Sequence, residues 1–200
     1  MDDTYKTLKK NSEGLFKDKG SKFIAYAFPV TSEEQVKSIL LEIKKTHHSA
    51  RHHCYAWRIG EEEITFRAND DGEPSSTAGK PILGQILSHG LTNTLIIVVR
   101  YFGGTLLGTS GLINAYKNAA IDAINYNEIV KKFIESVFEV RFGYPEMNTV
   151  MQVIKNENLD QTDTDFKESC VIRFKVRKSK KKQIEDTFKR LPGVTIKSIT

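Results

Sequence analysis

No disulfide framework, no membrane-length apolar run, no internal repeat and no low-complexity tract occurs in this 200-residue sequence. Its two cysteines, Cys54 and Cys170, stand apart with no Cys-x-x-Cys pair, which leaves two reduced thiols rather than a thiolate zinc site. No apolar stretch approaches the roughly 18 residues of a membrane span, and the first residues, Met-Asp-Asp-Thr-Tyr-Lys, carry no signal-peptide core. A soluble, cytoplasmic protein with no membrane partner is expected.

What is present can build one good core or two small ones, at 39% hydrophobic residues. Two domains are expected, 1–126 and 127–200. The net charge of +5 is unevenly spread: residues 1–127 hold 15 Lys and Arg against 14 Asp and Glu, and residues 128–200 hold 15 against 11. A basic C-terminal part suggests an acidic partner, nucleic acid being the commonest.

The most informative stretch runs from residue 93 to 117. Leu95 to Val99 is entirely apolar and rich in β-branched side chains, as in a strand buried on both faces. Arg100 breaks that run, Gly103, Gly104, Gly108 and Gly111 open the backbone, and Leu112, Ala115, Tyr116, Ala119 and Ala123 recur with helical spacing. Thr109 or Ser110 is placed to cap that helix. Strand, cation, glycine-rich loop and helix in this order expose N–H donors at a helix N-terminus, where the helix dipole favours an anion.

Before it, Ser21 to Val30 is expected as the first strand, with Phe23, Ala25 and Ala27 on one side. A helix capped by Thr31 or Ser32 buries Val36, Ile39, Leu40 and Ile43, and Lys44, Lys45, His47 and His48 at its end complement the dipole. His52 to Ile59 and Glu62 to Ala68 form a hairpin with Ile64 and Phe66 inward, and an acidic loop, 69–74, leads to a helix capped by Ser75, Ser76 or Thr77. After a linker near 125–128, strands at 133–142, about 159–167, 171–177 and 194–199, with helical stripes at Met147, Val150, Met151 and Ile154 and at Ile184, Phe188 and Leu191, give the order βαββαβ of a ferredoxin-like unit. The fold class is α+β.

Asp70-Asp-Gly-Glu-Pro-Ser-Ser-Thr-Ala-Gly-Lys-Pro-Ile-Leu83, Val99-Arg-Tyr-Phe-Gly-Gly-Thr-Leu-Leu-Gly108 and Gly111-Leu-Ile-Asn-Ala-Tyr116 closely resemble the motifs of the IMPACT/YigZ family, and His48, Ala50, His52 and Cys54 fit its pattern. Ser76 and Ser110 stand where that family usually has glycine. The resemblance implies an N-terminal domain like domain 2 of ribosomal protein S5 and a C-terminal domain like domain V of elongation factor G. It also implies a role in translation: eukaryotic members regulate it by binding protein, and bacterial members have been suggested to bind nucleic acid.

The glycine loop satisfies G-x-x-x-x-G, but Thr109 sits where a P-loop needs lysine, so NTP hydrolysis is not expected. Instead Arg100, Lys80 and the loop residues Gly103, Gly104, Gly108, Thr109, Ser110 and Gly111 are candidates to bind one acidic group of RNA. Against this stands tight helix-on-sheet packing with Arg100 paired to an acid, the candidates being Asp70, Asp71 and Glu73. Those carboxylates, with Ser75 and Thr77, would line the same cleft, where Arg100, Lys80 or a bound Mg2+ would offset their repulsion. Thr77 and Ser75 are better placed as caps than as nucleophiles. A metal at His52, Cys54 and Asp71 lacks a complete ligand set, because His52 and Cys54 share a strand face that His53 does not.

In the C-terminal part, Arg173, Lys175 and Arg177 alternate outward beside Glu135, Val137, Glu139 and Arg141, a salt-bridged face without the aromatics that stack bases. Arg177, Lys178, Lys180, Lys181 and Lys182 remain as a basic corner for phosphate contacts. The whole points to a non-catalytic, translation-linked regulator of RNA or the ribosome. A protein-binding adaptor and an enzyme on a small phosphorylated ligand are the other classes in play.

Overall fold

A computed structural model describes residues 3–166 and 169–199 as two compact units, one over Tyr5–Lys132 and the other from Phe133 onward with Asp3 and Thr4. In the first unit β2 (Ser12–Asp18), β3 (Ser21–Pro29), β4 (His52–Ile59), β5 (Thr65–Asn69) and β6 (Thr94–Tyr101) form one sheet in the order β2-β3-β6-β4-β5. All four pairings are antiparallel. The centre falls to β6, which is buried on both faces from Thr94 to Arg100. Ile96 and Val98 pack with α2 (Gly79–Ser88) and α3 (Gly108–Asn125), while Leu95, Ile97 and Val99 pack on the other face with α1 (Glu33–Thr46). β3 then lays Phe23, Ala25 and Ala27, all fully buried, against the helices of the first face.

Two strands precede β3, contrary to the expectation that it is the first. β1 (Thr4–Leu8) and β2 are short and polar, and nothing local marks them; β1 is held by pairing with β7 (Ile129–Phe133), more than a hundred residues away in the chain. That pairing, the Lys9 N–H to Glu128 carbonyl bond of 2.9 Å and the Lys9–Glu128 ion pair of 2.7 Å keep β7 with the first unit, so the division falls after Lys132 rather than after Tyr126.

α1 is capped by Ser32, whose side chain accepts from the Gln35 N–H at 3.3 Å, while Gln35 Oε1 accepts from the Thr31 N–H at 2.8 Å. His47 ends it differently from a dipole-complementing cation: its ring nitrogens contact the Tyr26 and Tyr101 hydroxyls at 2.7 and 2.8 Å, and burial lowers its pKa, which favours the neutral ring. Ile64 and Phe66 are not inward. Phe66 shares the face of Ala68, which packs on the core, but stands further out on edge strand β5, beside Arg58, and is 64% exposed.

The second unit runs β8 (Glu135–Phe142), α4 (Met147–Asn156), β9 (Asp160–Phe166), β10 (Cys170–Arg177), α5 (Lys181–Lys189) and β11 (Thr195–Ser198), with sheet order β11-β8-β10-β9. Residue 167 of the expected second strand of this unit lies outside the described residues. Phe138, Val140, Ile172 and Phe174 meet Val150, Ile154, Ile184 and Phe188 in the core, whereas Met151 turns outward. The sheet's other face carries charge. Glu139 is almost fully buried there and accepts from Arg141 at 2.8 Å, Arg173 at 2.9 Å and Lys197 at 3.1 Å. Bonds from Arg141 first, then Lys197 and Arg173, hold its pKa down to about 2. No helix among the described residues is long and apolar enough to cross a membrane.

Candidate functional site

Antiparallel pairing sets the end of β6 against the start of both neighbours: Arg100 stands opposite Phe23 of β3 and His52 of β4. Strand alternation puts the Arg100 side chain on the face of Ile96 and Val98, beneath the start of α3. It is 7% exposed, and its guanidinium lies 5.5 Å from the Phe23 ring centroid and 5.6 Å from that of Phe102.

A charge so deep needs a partner, and that partner is Glu73. Arg100 Nη1 donates to Glu73 Oε1 at 2.7 Å, and the buried Tyr116 hydroxyl of α3 donates to the same oxygen at 2.7 Å. Burial, followed by the neighbouring Cys54 and Glu73, pushes the Tyr116 pKa far up, so it acts as a neutral donor. Cys54 Sγ lies 3.3 Å from that hydroxyl and donates to the Asp70 carbonyl at 3.0 Å. Burial raises its pKa well above the ordinary thiol range, against the lowering effect of Tyr116, and nearby carboxylates add to the rise. Such a thiol is a poor nucleophile. Within this network Arg100 Nε finds no acceptor among the described residues.

Above Arg100 opens a cavity of about 490 Å³, walled by Pro74, Phe102, Leu106, Leu107 and Leu112. Its polar lining comes from Arg51, His52, Glu73, Arg100, Gly108 and Thr109. The first turn of α3 thus faces the same space as both arginines. His52 is fixed there by donating its Nδ1–H to the Asp71 carbonyl at 2.9 Å. A larger hollow of about 580 Å³ lies beside β2, lined by Glu13, Lys22, Tyr26 and Asp122 among others, and gathers no candidate site residue.

The acidic loop does not converge on this cavity. Asp70 turns back to α2, accepting from the N–H groups of Ser76 at 2.8 Å, Ala78 at 3.0 Å and Gly79 at 2.8 Å. Burial raises its pKa, but those bonds outweigh it and the net shift is downward. Asp70 therefore does the capping expected of Ser75, Ser76 or Thr77, from nine residues before the helix start; Thr77 instead donates to the Pro74 carbonyl at 2.7 Å. Asp71 accepts from the His53 N–H at 2.7 Å and pairs with Lys44 at 3.4 Å. With the three carboxylates committed to three different partners, a shared Mg2+ site at Asp70, Asp71 and Glu73 is not formed. Among the described residues no group of three or more His, Cys, Asp or Glu side chains converges as a metal set, and that includes His52, Cys54 and Asp71.

Of the anion-site candidates, Arg100, Gly108 and Thr109 line the cavity, whereas Lys80, Gly103, Gly104, Ser110 and Gly111 do not. Lys80 is exposed on α2 and acts on Asp70. Gly103 serves packing: a Cβ there would lie 1.9 Å from the Gly20 carbonyl carbon. α3 begins at Gly108, whose φ of +72° turns the chain into the helix, so Thr109 and Ser110 are in its first turn and do not cap it. Ser76 holds φ +66° without being glycine, which lets its N–H reach Asp70. Sequence reasoning missed Arg51 and Phe102 and gave His52 only as a metal candidate. An Arg-His pair opening the strand beside β6, and an aromatic directly before the glycines, are the signals that were there to find.

In the second unit, the Arg177 guanidinium stacks over the Phe133 ring at 3.4 Å, while Lys180 and Lys182 are exposed, and Lys178 and Lys181 half-buried, at the corner leading into α5.

Residues 19–124 match the model of the Impact N-terminal domain. The chain is 36% identical over 154 residues to the IMPACT family member YvyE of Bacillus subtilis, which covers 77% of this chain and 69% of that protein. It is 30% identical over 157 residues to the IMPACT family member YigZ of Escherichia coli, covering 78% of this chain and 77% of that one. A solved structure described as that of a hypothetical protein superposes with a TM-score of 0.73 at 24% identity, covering 100% of this chain and 99% of that one, a likeness of fold.

Proposed function

The chain belongs to the IMPACT family, and from that premise we propose that it is a non-catalytic, translation-associated regulator that contacts RNA, free or in the ribosome, through its phosphates. The observation that carries this reading is the meeting of Arg51, the incompletely satisfied Arg100 and the first turn of α3 around one cavity. Arginines and helix N-terminal N–H groups are the usual phosphate partners, and the helix dipole adds roughly half a positive charge. Lys180 and Lys182 of the second unit add electrostatic attraction. We read the first unit as similar to domain 2 of ribosomal protein S5. The second, with its strand order β11-β8-β10-β9, we read as ferredoxin-like and similar to domain V of elongation factor G.

Catalysis is disfavoured by the same network. The one thiol near the cavity is held protonated by burial, and the acidic residues face their own structural partners. Binding of the purified protein to ribosomes and to generic RNA across a salt series tests the reading. Affinity is expected to fall steeply between about 50 and 200 mM salt and to weaken in Arg51→Ala and in a Lys180/Lys182→Ala variant. Absence of binding at low salt, or an affinity indifferent to salt, would contradict it.

A further inference from the structure

The cavity differs from a phosphate track, in which exposed cations follow a backbone over an open surface. Here the cations sit at the bottom of a space walled by Pro74, Phe102 and three leucines, with the Phe102 ring 49% exposed. An ion alone would leave those walls unmatched; an anion joined to a flat, weakly polar body would meet both. The charge balance narrows the anion. Arg51 and Arg100 contribute two positive charges, Glu73 removes one, and the α3 N-terminus adds a fraction, which suits a singly charged phosphodiester better than a doubly charged terminal phosphate. The Nε–H of Arg100 is buried without an acceptor, so the guanidinium that lines the cavity is incompletely satisfied by the protein. At about 490 Å³ the cavity lies in the lower part of the range of small-ligand sites, about 300 to 1,000 Å³, with room for one nucleotide and none for a stacked pair.

We propose that this cavity receives a single unpaired nucleotide of RNA, its base against Phe102 and its phosphodiester at Arg51, Arg100 and the first turn of α3. The proposal rests on the RNA-binding reading above and specifies its substrate as single-stranded RNA. A base held in an A-form duplex cannot leave its stack to enter, whereas unpaired bases commonly stack on protein aromatics. One residue admitted at a time, with apolar walls, implies tolerance of base identity. Glu73 accepts from both Arg100 and Tyr116 on one oxygen and so keeps Arg100 in place rather than contacting the phosphate.

The test titrates the full chain at low salt with a ten-nucleotide single-stranded RNA carrying one 2-aminopurine, with the duplex of the same sequence, and with AMP. The expected result is single-strand binding at least tenfold tighter than duplex binding, a change in 2-aminopurine emission on binding, and AMP competing only at about a hundredfold higher concentration. Phe102→Ala and Arg51→Ala, both at exposed positions, should each weaken single-strand binding roughly tenfold with the melting temperature unchanged, the first also abolishing the emission change and leaving duplex binding as it was. If Arg51→Ala weakens RNA binding but Phe102→Ala does not, or the duplex binds as well as the single strand, this inference falls and the RNA-binding reading stands; if neither variant weakens binding, both readings of the cavity fall. AMP binding as tightly as RNA would assign the cavity to a free nucleotide and overturn the proposal. Failure of every RNA to bind at low salt would remove both readings and leave the C-terminal carboxylate of an apolar peptide as the better match to the walls.

Discussion

Arg100 in the first unit and Glu139 in the second are both almost fully buried charges on a sheet, and they are treated in opposite ways. Glu139 collects three cations from three neighbouring positions, Arg141, Arg173 and Lys197, so both its oxygens are engaged. Arg100 has one acid, Glu73, which is shared with Tyr116, and it keeps a buried donor unmet beside an open cavity. A charge satisfied from all sides fastens the sheet that holds it. A charge left short of partners, next to space and a helix N-terminus, is the one available to a ligand.

The difference sets an order of mutational effects. Arg100→Ala should be the most damaging, because it strands the Glu73 carboxylate in the core; a loss of about 3 to 5 kcal/mol is expected in urea unfolding. Arg100→Met with Glu73→Gln should recover much of that loss while still failing to bind RNA, which separates the structural part of the pair from the functional part. If the double variant binds RNA normally, Arg100 is a structural residue like Glu139.

Glu139→Gln should cost less, and its cost should depend on pH. The carboxylate pKa is lowered from 4.5 to about 2 in the folded state, so its stabilisation is present above 4.5 and is lost as the pH falls toward 2. The melting-temperature gap between the parent and the variant should therefore be full at pH 7 and close across that window. A gap that stays constant would mean the three cations contribute packing rather than charge.

The smallest effect should come from Ser76. Its backbone is left-handed so that its N–H meets Asp70, a conformation that costs a non-glycine residue about 1 kcal/mol or more. Ser76→Gly should raise stability by up to about 1 kcal/mol, read from thermal or urea melts, with RNA binding unchanged.

What could be read from the chain alone follows where the information is local. The apolar run of β6, the spacing of α1 and α3 and the alternation of β3 are each contained in a dozen residues and needed nothing else. β1 and β7 were illegible because each is only five residues long and pairs with the other across more than a hundred residues of chain. The cap of α2 is not legible because Asp70 reaches it from across a loop, and Phe66, expected inward, is exposed on the core-side face because alternation gives a face but not how far the covering helices extend. The site divided along the same line. Arg100 and the glycine loop announce themselves within β6 and its exit, but Arg51 and His52 join them only because β4 pairs beside β6.

The most direct measurement is a titration of isotopically labelled protein with single-stranded RNA, followed by backbone amide and arginine side-chain Nε–H resonances. The account predicts that the amides of Gly108 and Thr109 and the Nε–H of Arg100 shift together and saturate at one RNA per chain. Shifts confined to the basic corner of the second unit, with the Arg100 Nε–H unmoved, would contradict it.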